Sequence, residues 1–182
     1  MTETIASEFD ARSAQRVEHY LGRIKRSFDP NYDGNLPSQL VVSSDSADWL
    51  DPAQVSNPAR IGPLLALPTR SFEISLQELP GSTATDLQRH AHEAVHYVVA
   101  GTGYSEIGER KCPWKEGDFI YTPPWVVHRH YNTGPSAARL IIIENAKLLE
   151  ALGLHERQSM GLVDYATHLQ THAQAGETLL HK

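Results

Sequence analysis

The spacing of apolar residues changes character twice along the chain. Over residues 8–28, Ala14, Val17, Leu21, Ile24 and Phe28 recur at intervals of three and four. That spacing predicts one apolar stripe on a helix, with Ser7 as N-cap, Asp10 three residues on, and Asp29-Pro30 as the stop. Residues 29–69 are rich in Pro, Asp, Asn and Ser and read as a wrapping segment, with Leu40–Val42 as its best strand candidate. From residue 70 the period becomes two. Phe72, Ile74 and Leu76 alternate with Glu73, Ser75 and Gln77, which predicts a strand with the second set on its wet face. Short strands then alternate with turn signals at Pro80-Gly81, Gly101–Gly103, Glu116–Asp118, Pro123-Pro124 and Asn132–Pro135. Even spacing of this kind predicts an all-β barrel, a double-sheet jelly roll. After Glu144 the helical period returns through Leu148, Leu149 and Leu152, and again over 163–169. The expected plan is an N-terminal helix and arm over 1–69, one barrel over 70–145 and a C-terminal helical extension over 146–182. No internal repeat suggests a second barrel.

Composition narrows the class. The chain has 182 residues, 40% hydrophobic and 21% charged, which suits one folded domain with extra elements at its ends. Its net charge of -6, without a basic run, argues against nucleic acid or an anionic membrane as partner. The single cysteine, Cys112, excludes an intrachain disulfide and fits a reducing compartment; no base is paired with it to make it a nucleophile. The first twenty residues lack a signal-type apolar core, and the run around Ile141–Ile143 is strand-sized. A cytoplasmic protein is expected.

Five of the ten histidines fall in two clusters, Gln88-Arg-His90-Ala-His92-Glu-Ala-Val-His96 and His128-Arg-His130-Tyr-Asn132. In unbroken strands Gln88, His90, His92, Ala94 and His96 share one face, and His128 shares another with His130. Imidazoles on an interior face leave ring nitrogens to satisfy, which a divalent metal does. A lone buried histidine is usually a hydrogen-bonded core residue; five arranged by parity point to metal. Arg89, Arg129 and Glu93 have outward parity. His19, His155, His168, His172 and His181 read as surface or helix residues.

The second cluster resembles the second motif of the cupins, G-x5-P-x-G-x2-H-x3-N, through Gly117, Pro123, His128 and Asn132, with Trp125 in place of the usual glycine. The string P-x-W-x-x-H-x-H-x-N is similar to the gentisate, salicylate and 1-hydroxy-2-naphthoate dioxygenase branch. The resemblance covers about residues 70–145. It implies His128 as a metal ligand and His130 as a catalytic residue beside the substrate. The first cupin motif fits in two registers. In the literal one, His90, His92 and Gly103 match and His96 replaces the glutamate. In the other, Tyr97–Gly101 matches the family's YVLEG text. Gln88 and His90 are then the ligand positions, Ala94 takes the glutamate position, and His96 falls where the branch carries an arginine that holds the substrate carboxylate. The expected metal ligands are His90, His92 and His128, with His96 as fourth ligand or substrate anchor, and with Gln88 open as an alternative.

The resemblance implies Fe(II), with Mn, Ni or Zn as other candidates, and cleavage of a ring or C–C bond in a hydroxylated aromatic acid or a related phenolic or diketone compound. Three neutral histidines leave positions for a bidentate substrate and O2. Trp125 and Tyr131 are candidates for an apolar wall; Tyr104, Glu106 and Glu93 are polar candidates of lower rank. Two other readings stay open: an O2-independent isomerase, decarboxylase or lyase, and a non-catalytic metal- or ligand-binding cupin. Enzymes of the branch are mostly two-barrel chains, so a homodimer or higher homo-oligomer is expected, with the N-terminal arm packing on a partner.

Overall fold

The computed structural model describes residues 14–15, 17–25 and 37–168. Residues 14–15 and 17–25 are helical, and Val17 and Leu21 on the predicted stripe are exposed. Ser7, Asp10, Phe28, Asp29-Pro30, His172 and His181 lie outside the described residues. Contact density separates this N-terminal part, up to Ser38, from the body that begins at Gln39.

The body opens with a 3-10 turn at Ser44–Ser46 and a one-turn helix α1 (Pro52–Val55), which Asp51 caps through a reciprocal box with Gln54. Ten strands follow: β1 (Arg60–Pro63), β2 (Glu73–Leu79), β3 (Leu87–His90), β4 (Ala94–Ala100), β5 (Thr102–Ile107), β6 (Arg110–Lys115), β7 (Phe119–Thr122), β8 (His128–Asn132), β9 (Ala138–Glu144) and, after helix α2 (Ala146–Ala151), β10 (Arg157–Gly161). They form two five-stranded antiparallel sheets, ordered β1-β2-β9-β4-β7 and β10-β3-β8-β5-β6. This is the all-β double sheet that the alternation predicts. Leu40–Val42 is not a strand, and β1, at Arg60–Pro63, is the segment that adds to β2. Of the helical expectation after Glu144, α2 and the turn at 165–168 are present; between them stands β10, paired with β3. The fully buried Asp86 ties β10 down, accepting from Ser159 Oγ at 2.6 Å and Asn57 Nδ2 at 2.8 Å.

The first sheet's ladder sets its inner face in rows. Glu73, Glu144, Ala94 and Thr122 lie side by side, as do Ser75, Ile142, His96 and Ile120, and then Gln77, Leu140 and Val98. The lower end of the barrel is apolar: Val98, Trp114, Ile120, Ala138 and Leu140 form one cluster. The upper end is polar, and here the expected orientation of β2 is reversed. Ser75 and Gln77 are buried and face inward, while Ile74 and Leu76 take the outer face. The alternation is real, but its wet side is the barrel interior. Glycine is required at Gly103, where a Cβ would sit 1.9 Å from the Tyr131 carbonyl oxygen.

Candidate functional site

Antiparallel pairing of β3 with β8 sets Gln88 opposite His128, and β4 packs its inner face toward them. The five clustered histidines therefore meet inside the barrel, all buried. His90 and His128 are edge to face with ring centroids 4.7 Å apart, and His96 and His130 lie 4.5 Å apart. A cavity of about 310 Å3 opens over three of them, lined by His90, His92 and His96 with Gln88, Glu144 and Arg157 among others, while His128 and His130 lie outside its lining.

Two of the rings are held in the way metal-binding histidines usually are. His90 Nδ1 bonds the His92 carbonyl at 2.7 Å, and His128 Nδ1 bonds the Val126 carbonyl at 2.9 Å. A backbone carbonyl only accepts, so each Nδ1 carries the proton and each Nε2 is left with a lone pair. Gln88 Nε2 sits 3.3 Å from His128 Nε2, and Arg157 donates to Gln88 Oε1, which fixes the amide in that orientation.

His130 is held differently. The Trp114 indole N–H donates to Ser105 Oγ at 3.0 Å, and Ser105 Oγ lies 2.7 Å from His130 Nδ1. A serine that already accepts from tryptophan has its own proton to give to Nδ1. With that proton given to Nδ1, His130 is the Nε2–H tautomer; its buried Nε2 has no partner among the described residues. Both nitrogens of His96 are likewise buried without a partner.

His92, the third expected ligand, stacks on His90 with centroids 3.7 Å apart and planes within 4°. Ring lone pairs lie in the ring plane, so two parallel rings at that spacing cannot aim at one ion. Among the described residues no three His, Cys, Asp or Glu side chains close around a point that could hold one. His92 Nε2 instead meets Glu144 Oε2 at 3.2 Å, with its Nδ1 buried and unpartnered among the described residues.

Burial keeps His90, His96, His128 and His130 neutral. It pushes His90 down to about 4, aided by His92, and His96 down to about 3, aided by His128. Burial and then neighbouring rings hold His128 and His130 well below the ordinary imidazole value. His96 is thus a neutral ring at physiological pH, and what it offers a substrate is a hydrogen bond. Burial alone would raise the Glu144 carboxyl, but the His92 hydrogen bond and charge outweigh it and hold it low.

Several expected substrate contacts lie elsewhere. Tyr104 and Tyr131 stack on each other at 4.4 Å on the opposite face of the second sheet, because each is one residue out of phase with the inward Ser105 and His130. Trp125 is 36% exposed under the Arg89 guanidinium, outside the cavity lining. Its φ of 60° explains why glycine is usual at this position, and its N–H bonds the His90 carbonyl at 2.6 Å. Glu93 is exposed and accepts from Tyr121 Oη, while Glu106 pairs across the strands with Arg129. Arg129 is buried rather than solvent-facing, donating to Tyr131 Oη and the Gly161 carbonyl. Glu144 and Arg157 are cavity residues that the sequence did not single out, and His155, read from the sequence as a surface or helix residue, is exposed and lines the same cavity. His155 stacks on His92 at 5.5 Å. Their signal is long-range: each is brought in by pairing at the end of β9 or by β10.

Comparison with known proteins agrees with this architecture. Residues 75–144 match the model of the cupin domain family. The 5-aminosalicylate 1,2-dioxygenase of a Comamonas species is 32% identical over 104 residues, which is 57% of this chain and 26% of that protein. Gentisate 1,2-dioxygenase 1 of Aquipseudomonas alcaligenes is 36% identical over 80 residues, 43% of this chain and 22% of that one. The matches thus span about a quarter of the length of these relatives. Among solved structures, a salicylate 1,2-dioxygenase from Pseudaminobacter salicylatoxidans aligns over 50% of this chain and 26% of its own, with a TM-score of 0.47 and 19% identity. Over residues 75–144 the barrel of this chain is similar to the cupin domain family.

Proposed function

We propose that the barrel is the metal-binding module of a dioxygenase that cleaves hydroxylated aromatic acids. The observation that carries this reading is the His90–His128 pair, whose Nδ1 atoms are fixed on backbone carbonyls so that each Nε2 keeps a lone pair, that of His128 accepting from the Gln88 amide at the edge of a polar cavity. The 5-aminosalicylate and gentisate dioxygenase relatives supply the reaction class. Neutral nitrogen donors of this kind fit a divalent first-row metal such as Fe(II). His90 and His128 would hold it, and turning His92 off its stack or rotating the Gln88 amide would supply a third donor. When bound there, the metal would supply a redox centre between the phenolic acid and O2.

The chain's own residues do the rest. The cavity of about 310 Å3 is within the range of small-molecule sites and takes a single-ring acid. His130 presents its Nε2–H toward the interior as a fixed donor for oxygen atoms that gain charge, and His96 beside it hydrogen-bonds the substrate as a neutral ring. The His92–Glu144 pair is placed to accept the phenolic proton. O2 uptake by the anaerobically Fe(II)-loaded protein, measured across salicylates, gentisate and hydroxynaphthoates with loss of aromatic absorbance, tests the reading. Stoichiometric uptake with at least one of them is expected. Metal binding without O2 consumption by any would overturn it.

A further inference from the structure

The first sheet carries its most unusual surface on β2. The inward side of this strand is Glu73, Ser75 and Gln77, three polar residues where a barrel core would be aliphatic, and all three line the histidine cavity. Across the ladder Glu73 stands directly opposite Glu144, also in the lining. Like charges in facing positions of an antiparallel pair destabilise a sheet. Lys147 donates its ammonium to Thr69 Oγ1 at 3.1 Å, and although its charge favours the Glu73 carboxylate, the Glu73 carboxyl is raised, by burial first and then by Glu144. Gln77 is 4% exposed, and its Oε1 is buried with no partner among the described residues. Leaving a buried acceptor unsatisfied is destabilising. β2 therefore holds several arrangements that oppose folding, all facing one cavity. Each of them offers a hydrogen-bond acceptor.

We propose that this inward face of β2, completed by Glu144, is a recognition wall for a hydrogen-bond-donating ring substituent of the substrate, an amino or hydroxyl group. The inference rests on the aromatic-acid reading of the site and adds the class of substituent. Glu73 and Gln77 provide acceptors on one wall of the cavity, across from β3, which carries His90. A methyl or hydrogen in the same place would leave those acceptors dry and unpaired, which is the situation in which polar sites discriminate most strongly.

The test is equilibrium binding to the Fe(II)-loaded full chain under anaerobic conditions, so that no turnover is needed. The probes are 2-hydroxybenzoates that differ only in carrying amino, hydroxyl or methyl at one ring position, with each position tried. The expected result is a preference of about tenfold or more for amino or hydroxyl over methyl, about 1.4 kcal/mol. Glu73→Gln and Gln77→Leu should each reduce that preference to about threefold or less. Both variants should also unfold at the same or higher temperature than the parent in the absence of ligand, since each removes a strained feature. No preference in the parent at any position, or a preference unchanged in both variants, would overturn the proposal. A preference that is present while O2 is not consumed would overturn the dioxygenase reading and leave the recognition wall standing.

Discussion

At the scale of the residue, the site depends on which nitrogen of each imidazole is occupied. His128 and His130 are two positions apart on β8 and share a face, so strand parity treats them alike, and only the motif resemblance assigns them different roles. Their partners separate them. The Val126 carbonyl leaves His128 with an Nε2 lone pair, while the Trp114–Ser105 chain leaves His130 with an Nε2–H. A protonated nitrogen cannot ligate, so His130→Ala should retain its iron. Turnover should fall by roughly 10²–10⁴, the range for a lost proton-transfer or donor group. Iron content and kcat measured on the same sample check this; loss of iron with the side chain would place His130 among the ligands. The tautomers themselves were not legible in the sequence. Ser105 and Trp114 lie on β5 and β6, and nothing local in the text links them to His130.

At the scale of the element, strand parity carried much of the reading. Alternation located β2, β4, β8 and β9 and grouped the histidines that meet inside. It did not say which side of β2 is inside, because a polar cavity and bulk water leave the same pattern. The burial of Ser75 and Gln77 resolves that. β10 was invisible for another reason: Arg157–Gly161 has no apolar alternation, and its extended form comes from pairing with β3 and from the buried Asp86. Tyr104 and Tyr131 were legible as outward by the same parity that grouped the histidines. The pairing of β5 with β8 also sets a test. Gly103→Ala would drive a Cβ into the Tyr131 carbonyl and to 2.5 Å of the Trp114 ring, with backbone on one side and a packed indole on the other. Neither can yield without opening the sheet that holds His128 and His130. The variant should lose on the order of 3 kcal/mol or more, read as a lowered denaturant midpoint, as overpacking at a rigid contact does. An unchanged midpoint would show that the β5–β8 approach is looser than described.

At the scale of the whole molecule, the barrel is stable at one end and costly at the other. Val98, Ile120 and Leu140 close the apolar end, and the neutral histidines fill the polar one. His90 and His96 hold folded values near 4 and 3, below the ordinary 6.5. The unfolded chain therefore binds protons in that window and the folded chain does not. Stability from these two groups is complete above about 6.5 and is lost as pH falls toward 4 and then 3. At pH 5 the loss is on the order of 2 kcal/mol for each. The metal-free protein should melt roughly 8 °C lower at pH 5 than at pH 7.5; a flat profile would mean that the rings are hydrated. The central claim is that His90 and His128 together hold a metal. It is tested most directly by iron per chain after anaerobic Fe(II) loading and desalting, for the parent and His128→Ala, each with its melting curve. The parent should retain close to one iron, and the variant should fall near background while melting cooperatively, because removing one of few ligands takes most of the affinity. Equal iron in both, with the fold intact, would contradict the assignment.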